Sequence, residues 1–300
     1  MPAPPIGFVG FGEAGSRIAM GLRQAGAAEM AAYDSAADAP VFGERIRARA
    51  RESGVRLVES NAELAAASTI LLSVVTAASA LDATRQNAAH LQPHHFYVDC
   101  NSVSPQTKRE IAAVILAGPA KFVEAAILAP VPKQRGQSVP MLTGGEDAAA
   151  LADALAPLGF CMEPVPGGFG TAAAVKMCRS IVVKGLEALL TECVLAASRF
   201  GAEERVFASL QQSYPGIQWM QLADYMVNRL ALHGERRARE MEEVAATLRA
   251  VGVEPIMAEA AARRQEWGAK LGLPAHFGPA GPDTYREVVE VVETIKDKPG

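Results

Sequence analysis

Ile6-Gly7-Phe8-Val9-Gly10-Phe11-Gly12-Glu13-Ala14-Gly15 is the stretch that decides the fold of this chain. Ile6–Phe11 reads as a short buried strand, the glycines as a tight turn, and Ala14–Ala25 as a helix of small and apolar residues. Each glycine has its own physical task. Gly10 permits the tight turn, Gly12 lets the backbone approach a pyrophosphate, and Gly15 lets the helix pack closely on the strand. The helix N-terminus then offers free N–H groups and a positive dipole end to phosphates. A Gly-x-Gly-x-x-Gly turn is weak evidence alone, but here Asp34 also ends the next strand, 19 residues after Gly15. An acid at that place accepts hydrogen bonds from the adenosine ribose hydroxyls and repels a 2′-phosphate. The expected dinucleotide site comprises Gly10, Phe11, Gly12, Glu13, Ala14, Gly15 and Asp34, with Val74, Val75 and Thr76 beyond a later strand. NAD is the expected cofactor, and Arg45 or Arg47 keeps NADP as the alternative.

Outward from this turn, strand and helix signals alternate as in a doubly wound α/β domain. Strands are expected at Met30–Asp34, Val55–Val58, Ile70–Val75, Phe96–Asp99, Phe122–Ala126, Val139–Thr143 and Phe160–Glu163. Helices are expected around Glu44–Glu52, after the caps Ser60 and Asn61, from Pro105 towards Ala117, and over Glu146–Leu158. From Thr171 onward strand signals cease. Helical runs follow at Ala172–Phe200, Glu203–Ser213, Ile217–Leu232, Glu235–Val251 and Pro255–Leu271. Pro and Gly cluster at Pro164–Gly170, which sets the boundary: a Rossmann-type domain over 1–165 and an all-α domain over 166–300. Ala172–Ser198 has so few charges that burial between domains or subunits is expected. The tail from Pro274 is rich in Pro and Gly, with a loose tip expected.

Composition narrows the functional classes. Half the 300 residues are apolar and the formal charge is −4, with the basic residues scattered, which argues against nucleic acid or an anionic membrane as partner. Leu64–Leu81 carries no charge, but its apolar part is short and partly β-branched, so a buried strand explains it better than a membrane span. The four cysteines, Cys100, Cys161, Cys178 and Cys193, show no Cys-x-x-Cys spacing. With no signal peptide evident, a reducing cytoplasmic location is expected. His90, His94, His95 and His276 lack metal-ligand spacing, and no metal is expected. There is neither a Gly-x-Ser-x-Gly elbow nor a phosphate-binding loop of the nucleotide-triphosphatase type.

Four segments together resemble the β-hydroxyacid dehydrogenase family, which includes 3-hydroxyisobutyrate and 6-phosphogluconate dehydrogenases. They are Gly10–Gly15, Asp99-Cys100-Asn101-Ser102-Val103-Ser104-Pro105, Phe122–Val131, and Gly167-Gly168-Phe169-Gly170-Thr171-Ala172-Ala173-Ala174-Val175-Lys176. The resemblance implies that Lys176 is the catalytic general acid/base. It also implies that Asn101, Ser102 and Val103 bind substrate near the nicotinamide, in a cleft between the domains. The implied reaction is reversible hydride transfer between the cofactor and a small hydroxy or keto compound, a β-hydroxy acid or sugar acid. A homodimer formed through the helical domain is implied too.

A lysine beside an oxidised nicotinamide in a partly dry pocket is expected to have its pKa lowered towards working pH. The sequence departs from the family pattern at Arg179, where Asn is usual, at Asn101-Ser102 in place of Ser-Thr, and in lacking Ser-Gly-Gly after Phe122–Val131. The segment Lys176-Met177-Cys178-Arg179-Ser180, with Lys184-Gly185-Leu186-Glu187 one to two turns on, resembles a subgroup of this family with a variant C-terminal helical domain. Arg179, with Ser180, is expected to meet an acidic group of the substrate, the rival role for Arg179 being a bridge to a carboxylate of the protein itself. Lys176, Ser180 and Glu187 share a helix face. An imine reductase of the same architecture and a non-catalytic dinucleotide sensor are the competing functions, and Lys176 weighs against the reductase. His233-Gly234-Glu235-Arg236-Arg237 reads equally as a functional cluster and as a solvated helix start. Trp219, Trp267 and Tyr225 are expected to pack in the core or at a subunit interface, the alternative for Trp219 or Tyr225 being a wall of the substrate pocket.

Overall fold

A computed structural model describes residues 3–27, 29–132, 135–278 and 281–296; the expected loose tip of the tail lies outside them. The chain divides into two compact units, Met1–Lys176 and Met177–Gly300.

The first unit carries β1 (Ile6–Val9), α1 (Glu13–Gln24), β2 (Met30–Tyr33), α2 (Gly43–Ser53), β3 (Arg56–Leu57), α3 (Asn61–Ala66) and β4 (Ile70–Ser73). It continues with α4 (Ala80–Ala88), β5 (Phe96–Asp99), α5 (Pro105–Leu116), β6 (Lys121–Ile127), β7 (Pro140–Gly144), α6 (Ala148–Leu155) and β8 (Cys161–Pro164). The strands form one sheet in the order β3-β2-β1-β4-β5-β6-β7-β8, parallel except for the β6–β7 pair. This is the doubly wound architecture, extended at one edge by β7 and β8. Its strands read as unbroken apolar runs because helices cover both faces: β1 and β4 are buried at every position. Phe8, Ile18, Leu22, Ile70 and Val123, each at most 1% exposed, belong to one face's core, and Leu64, Leu71, Tyr97 and Phe122 to the other's.

The order reverses between β1 and β4, and the crevice outside the carboxyl ends of strands at such a switch point is where ligands bind. The glycine turn follows β1 there, and Val74, Val75 and Thr76 follow β4. The sequence reading gives no helix between Val75 and Phe96, whereas α4 fills that crossover. Its buried positions, Ala80, Thr84 and Asn87, are too small or too polar to make an apolar stripe.

In α7 (Thr171–Arg199) the first turns belong to the first unit and the remainder to the second. The second unit also holds α8 (Glu203–Ser213), α9 (Trp219–Ala250), α10 (Ile256–Lys270), α11 (Pro274–Phe277) and α12 (Tyr285–Lys296). The two helices expected on either side of His233-Gly234 both form and meet in α9 at a kink, where His233 has non-helical angles (φ −130°, ψ 15°). Gly234 allows the close approach of α10 there: a Cβ on it would lie 2.6 Å from the Gln265 carbonyl oxygen. The Pro- and Gly-rich tail yields α12, whose Tyr285, Val288, Val289 and Val292 are buried against Val194, Phe207, Ala223 and Val227. Spacing of three and four makes that apolar stripe, which a composition count hides.

Candidate active site

Gly10 has φ +82°, and a Cβ there would lie 2.6 Å from Val75 Cγ1. At Gly15 a Cβ would meet Val74 Cγ2 at 3.1 Å. The structure thus brings the glycine turn against Val74 and Val75. Gly12 differs: a Cβ on it would meet nothing within 4 Å, so its backbone faces open space. It is also the N-cap of α1 and supplies no side-chain cap, which leaves the first-turn N–H groups directed outward. Closed glycines at the packing positions and an open one at the approach position fit a bound pyrophosphate.

Asp34 reaches across from the end of β2. Its Oδ2 accepts the Phe11 N–H at 2.7 Å and its Oδ1 the Ala36 N–H at 2.9 Å, so it latches the glycine turn as well as placing a carboxylate beside it. Arg47 donates to the Ala37 carbonyl at 2.6 Å and pairs with Glu44 at 3.4 Å, which ties it to its own loop and helix. Thr76 bonds Ser79 at 2.9 Å in the turn that follows β4.

The segment after β5 is held from beneath. Asp99, fully buried, takes Lys108 Nζ on Oδ2 at 2.5 Å, and the same ammonium reaches the Asp99 carbonyl at 2.7 Å and the Ala125 carbonyl at 3.3 Å. A buried pair of this kind holds only when its remaining donors are met, and here backbone carbonyls meet them. Lys108 occupies a place in the stripe Lys108, Ile111, Ala112 and Ile115 that apolar residues otherwise fill, which was its one sequence signal. Asp99 Oδ1 accepts the Asn101 amide, which also donates to Ser73 Oγ at 2.9 Å. Carboxylates only accept, so the Asn101 Nδ2 is fixed inward, and its Oδ1 stands as a buried acceptor without a partner among the described residues. Ser104 accepts the Thr107 N–H and Pro105 opens α5, which ends the loop. Cys100 and Val103 are buried, and burial pushes the Cys100 thiol up to about 12. That thiol is inert packing.

Lys176 meets this loop: its Nζ donates to Ser102 Oγ at 2.5 Å. Both residues lie in the first unit. The start of the lysine's helix is set by Glu124 of β6, fully buried, which accepts the Gly170 N–H at 2.7 Å and the Ala172 N–H at 2.9 Å. A carboxylate there answers both the orphan donors and the dipole of a helix N-terminus. Gly144 opposite makes room, since a Cβ on it would sit 2.6 Å from Glu124 Oε1. Sequence reading quoted Asp99 and Glu124 inside motifs and gave neither this framework role.

Arg179 and Ser180 fall in the second unit. Arg179 is exposed and pairs with no carboxylate among the described residues, while Ser180 is buried and accepts from Lys184 Nζ at 3.1 Å. Glu187 is buried as well and belongs to the helical core's polar network.

Residues 5–165 match the family described as the NAD binding domain of 6-phosphogluconate dehydrogenase, and residues 197–268 match a domain of unknown function (DUF1932). A conserved hypothetical protein from Sinorhizobium meliloti 1021 is 37% identical, with 98% of this chain and 97% of that one covered and a TM-score of 0.76. An uncharacterized 28.5 kDa protein of Methanothermus fervidus, from the 7S RNA 5′ region, is 28% identical over 84% of this chain and 94% of its own length. The 3-hydroxyisobutyrate dehydrogenase of Mycobacterium tuberculosis, solved with L-serine, shares the fold at 16% identity and a TM-score of 0.73 over 89% of this chain and 94% of that one. The chain belongs to the family built on the NAD binding domain of 6-phosphogluconate dehydrogenase, in the branch that continues into this helical domain of unknown function.

Proposed function

We propose that the protein is an NAD(P)-dependent oxidoreductase that interconverts a small hydroxy compound, a β-hydroxy acid or sugar acid, and its keto form. The observation that carries this reading is the lysine placed on the serine loop, Lys176 Nζ on Ser102 Oγ, in the unit that also holds the glycine turn. When bound, the nicotinamide accepts or returns the hydride of the alcohol carbon. Lys176, in its neutral form, takes the hydroxyl proton during oxidation and gives it back during reduction. Ser102 steers the amine, and the buried Asn101 Oδ1 offers an acceptor for a ligand N–H or O–H. Arg179, exposed just past the lysine, is assigned to an acidic group of the substrate, with Ser180 beside it on the helix. Gly10 to Gly15, Asp34 and Val74 to Thr76 would hold the dinucleotide.

NAD is the preferred cofactor in this reading, because the Asp34 carboxylate would repel a 2′-phosphate and Arg47 is engaged elsewhere. The domains of the reading are 1–165 and 166–300, with the linker near Pro164–Gly170. A homodimer through the helical unit is supported by the exposed Val182 (62%), Leu189 (52%) and Phe200 (84%) along α7 and just past its end. The four cysteines are free, which suits a reducing cytoplasm, and no helix among the described residues is long and apolar enough to cross a membrane.

The test is a panel of hydroxy acids and sugar acids followed by NADH absorbance, with dinucleotide uptake read by calorimetry. Lys176→Ala is expected to keep the dinucleotide affinity and lose about 10²–10⁴-fold in kcat, the worth of a positioned proton-transfer group. Turnover undiminished in that variant removes the lysine's role. No uptake of either NAD(H) or NADP(H) removes the whole reading.

A further inference from the structure

In the helical unit, α9 carries Tyr225 and Arg229 one turn apart before its kink at His233, and Arg236 and Arg237 just beyond it. The other cations about this face have their counter-charges. Glu187, fully buried, takes Arg237 on both oxygens and Gln265 Nε2 at 2.8 Å. Glu240 takes Arg236 at 2.7 Å and Lys184 at 3.0 Å. Glu187 and Glu240 are therefore engaged by other cations. Arg229 is half-buried, and it forms no ion pair with a carboxylate among the described residues. Its Nε is shut away from solvent with no acceptor among the described residues. Burial and then the charges of Arg237 and Arg236 hold its pKa below the usual guanidinium value, with Tyr225 and Glu187 acting the other way.

A guanidinium cannot shed its charge, so its partial desolvation is only partly offset in the protein alone, by the field of Glu187. A bound anion would remove that cost. The planar fork of N–H donors is shaped for two oxygens of one carboxylate or phosphate. We infer that the Arg229 face of α9 is a binding site for a small molecule bearing an oxyanion, a carboxylate or a phosphate, that inserts against the guanidinium. The inference does not rest on the oxidoreductase reading.

The experiment measures the thermal midpoint of the full chain in phosphate and in acetate against chloride at matched ionic strength, with and without NADH. Phosphate held at the glycine turn is the part that NADH displaces and is set aside. Wild type should show a saturable rise in phosphate, in acetate or in both, and the more effective anion identifies the class. Arg229→Gln should lose the rise while melting in chloride no lower than wild type, because a desolvated unpaired charge has gone. Arg229→Lys, which keeps the charge without the fork, should weaken apparent affinity about tenfold. A response equal in wild type and Arg229→Gln overturns the inference. So does an Arg229→Gln protein that melts lower in chloride yet keeps its anion response, which makes the arginine structural. Sedimentation showing that Arg229→Gln dissociates a dimer, with no anion response in wild type, overturns it too, because the oxyanion then belongs to a second copy.

Discussion

Glu124 offers the sharpest test of how the site is held. Its carboxylate sits out of solvent and accepts two backbone N–H groups, of Gly170 and Ala172, at the start of the helix that carries Lys176 one turn later. Hydrogen bonds to a charged group contribute about 1.5–3 kcal/mol each, and a buried donor left unmet costs about 1–3 kcal/mol. Glu124→Gln keeps the shape but presents one acceptor oxygen and one amide donor. One N–H stays satisfied and the other faces a donor, for an expected loss of about 2–3 kcal/mol. Glu124→Ala strands both N–H groups and opens a cavity besides, for about 4–5 kcal/mol. Both tryptophans, Trp219 and Trp267, lie in the second unit, so urea unfolding is to be followed by far-UV circular dichroism, which sees the sheet as well. The order wild type, Gln, Ala in midpoint is expected, with kcat falling in Glu124→Gln more than dinucleotide affinity does. A Glu124→Gln protein with wild-type midpoint and wild-type kcat would refute the reasoning, since neither bond could then be holding the helix start.

Two further outcomes follow from buried polar groups. His95 accepts the Gln92 N–H on Nδ1 at 2.7 Å and meets the Ala65 carbonyl through Nε2 at 3.1 Å, an arrangement that suits the neutral ring. Burial, and then the neighbouring His94, hold its pKa below the usual 6.5. The unfolded chain therefore takes up the proton first, and stability present above about pH 6.5 falls as pH drops towards the lowered folded value, by at most about 1.4 kcal/mol per pH unit. His95→Gln should flatten that slope in unfolding measured between pH 7 and 5; a slope unchanged in the variant rejects the assignment. Arg237→Met leaves the Glu187 carboxylate buried with Gln265 alone and should cost about 3–5 kcal/mol, read by tryptophan fluorescence, whereas adding Glu187→Leu should recover most of the loss. A double variant as unstable as the single would mean that the pair was not the source.

The glycine turn was legible because its three positions have separate steric demands, and the structure shows them separately: Gly10 and Gly15 packed against Val75 and Val74, Gly12 open. The strands were legible because a sheet covered on both faces leaves unbroken apolar runs, as in Ile70–Ser73. What could not be read were contacts that only the folded chain makes. Lys108 stands out in an apolar stripe, but its partner Asp99 is set by the turn after β5 and the start of α5, which bring the two together in the core. Glu124 meets Gly170 and Ala172 across 46 and 48 residues, a distance no local pattern encodes. Helix α12 was hidden for another reason: proline and glycine before it dominate the composition of the tail, while Tyr285, Val288, Val289 and Val292 carry the stripe.

The division of the chain just after Lys176 bears on what that residue can do. Three points that fix it are first-unit groups: Ser102 on its amine, Glu124 at the head of its helix, and Ala172 of that helix packed with Ala126 and Leu142 of the sheet. Its hold on the serine loop is internal to the unit that carries the glycine turn. Changes confined to the second unit, Arg237→Met among them, touch neither Ser102 nor Glu124. Such changes should therefore act on stability before they act on dinucleotide affinity. A bond to a half-buried serine, on a helix whose start is held by a buried carboxylate, fixes a side chain more tightly than a free surface stem would be fixed. A proton-transfer group needs that kind of fixing, because displacement by about 1 Å already costs roughly a hundredfold in rate.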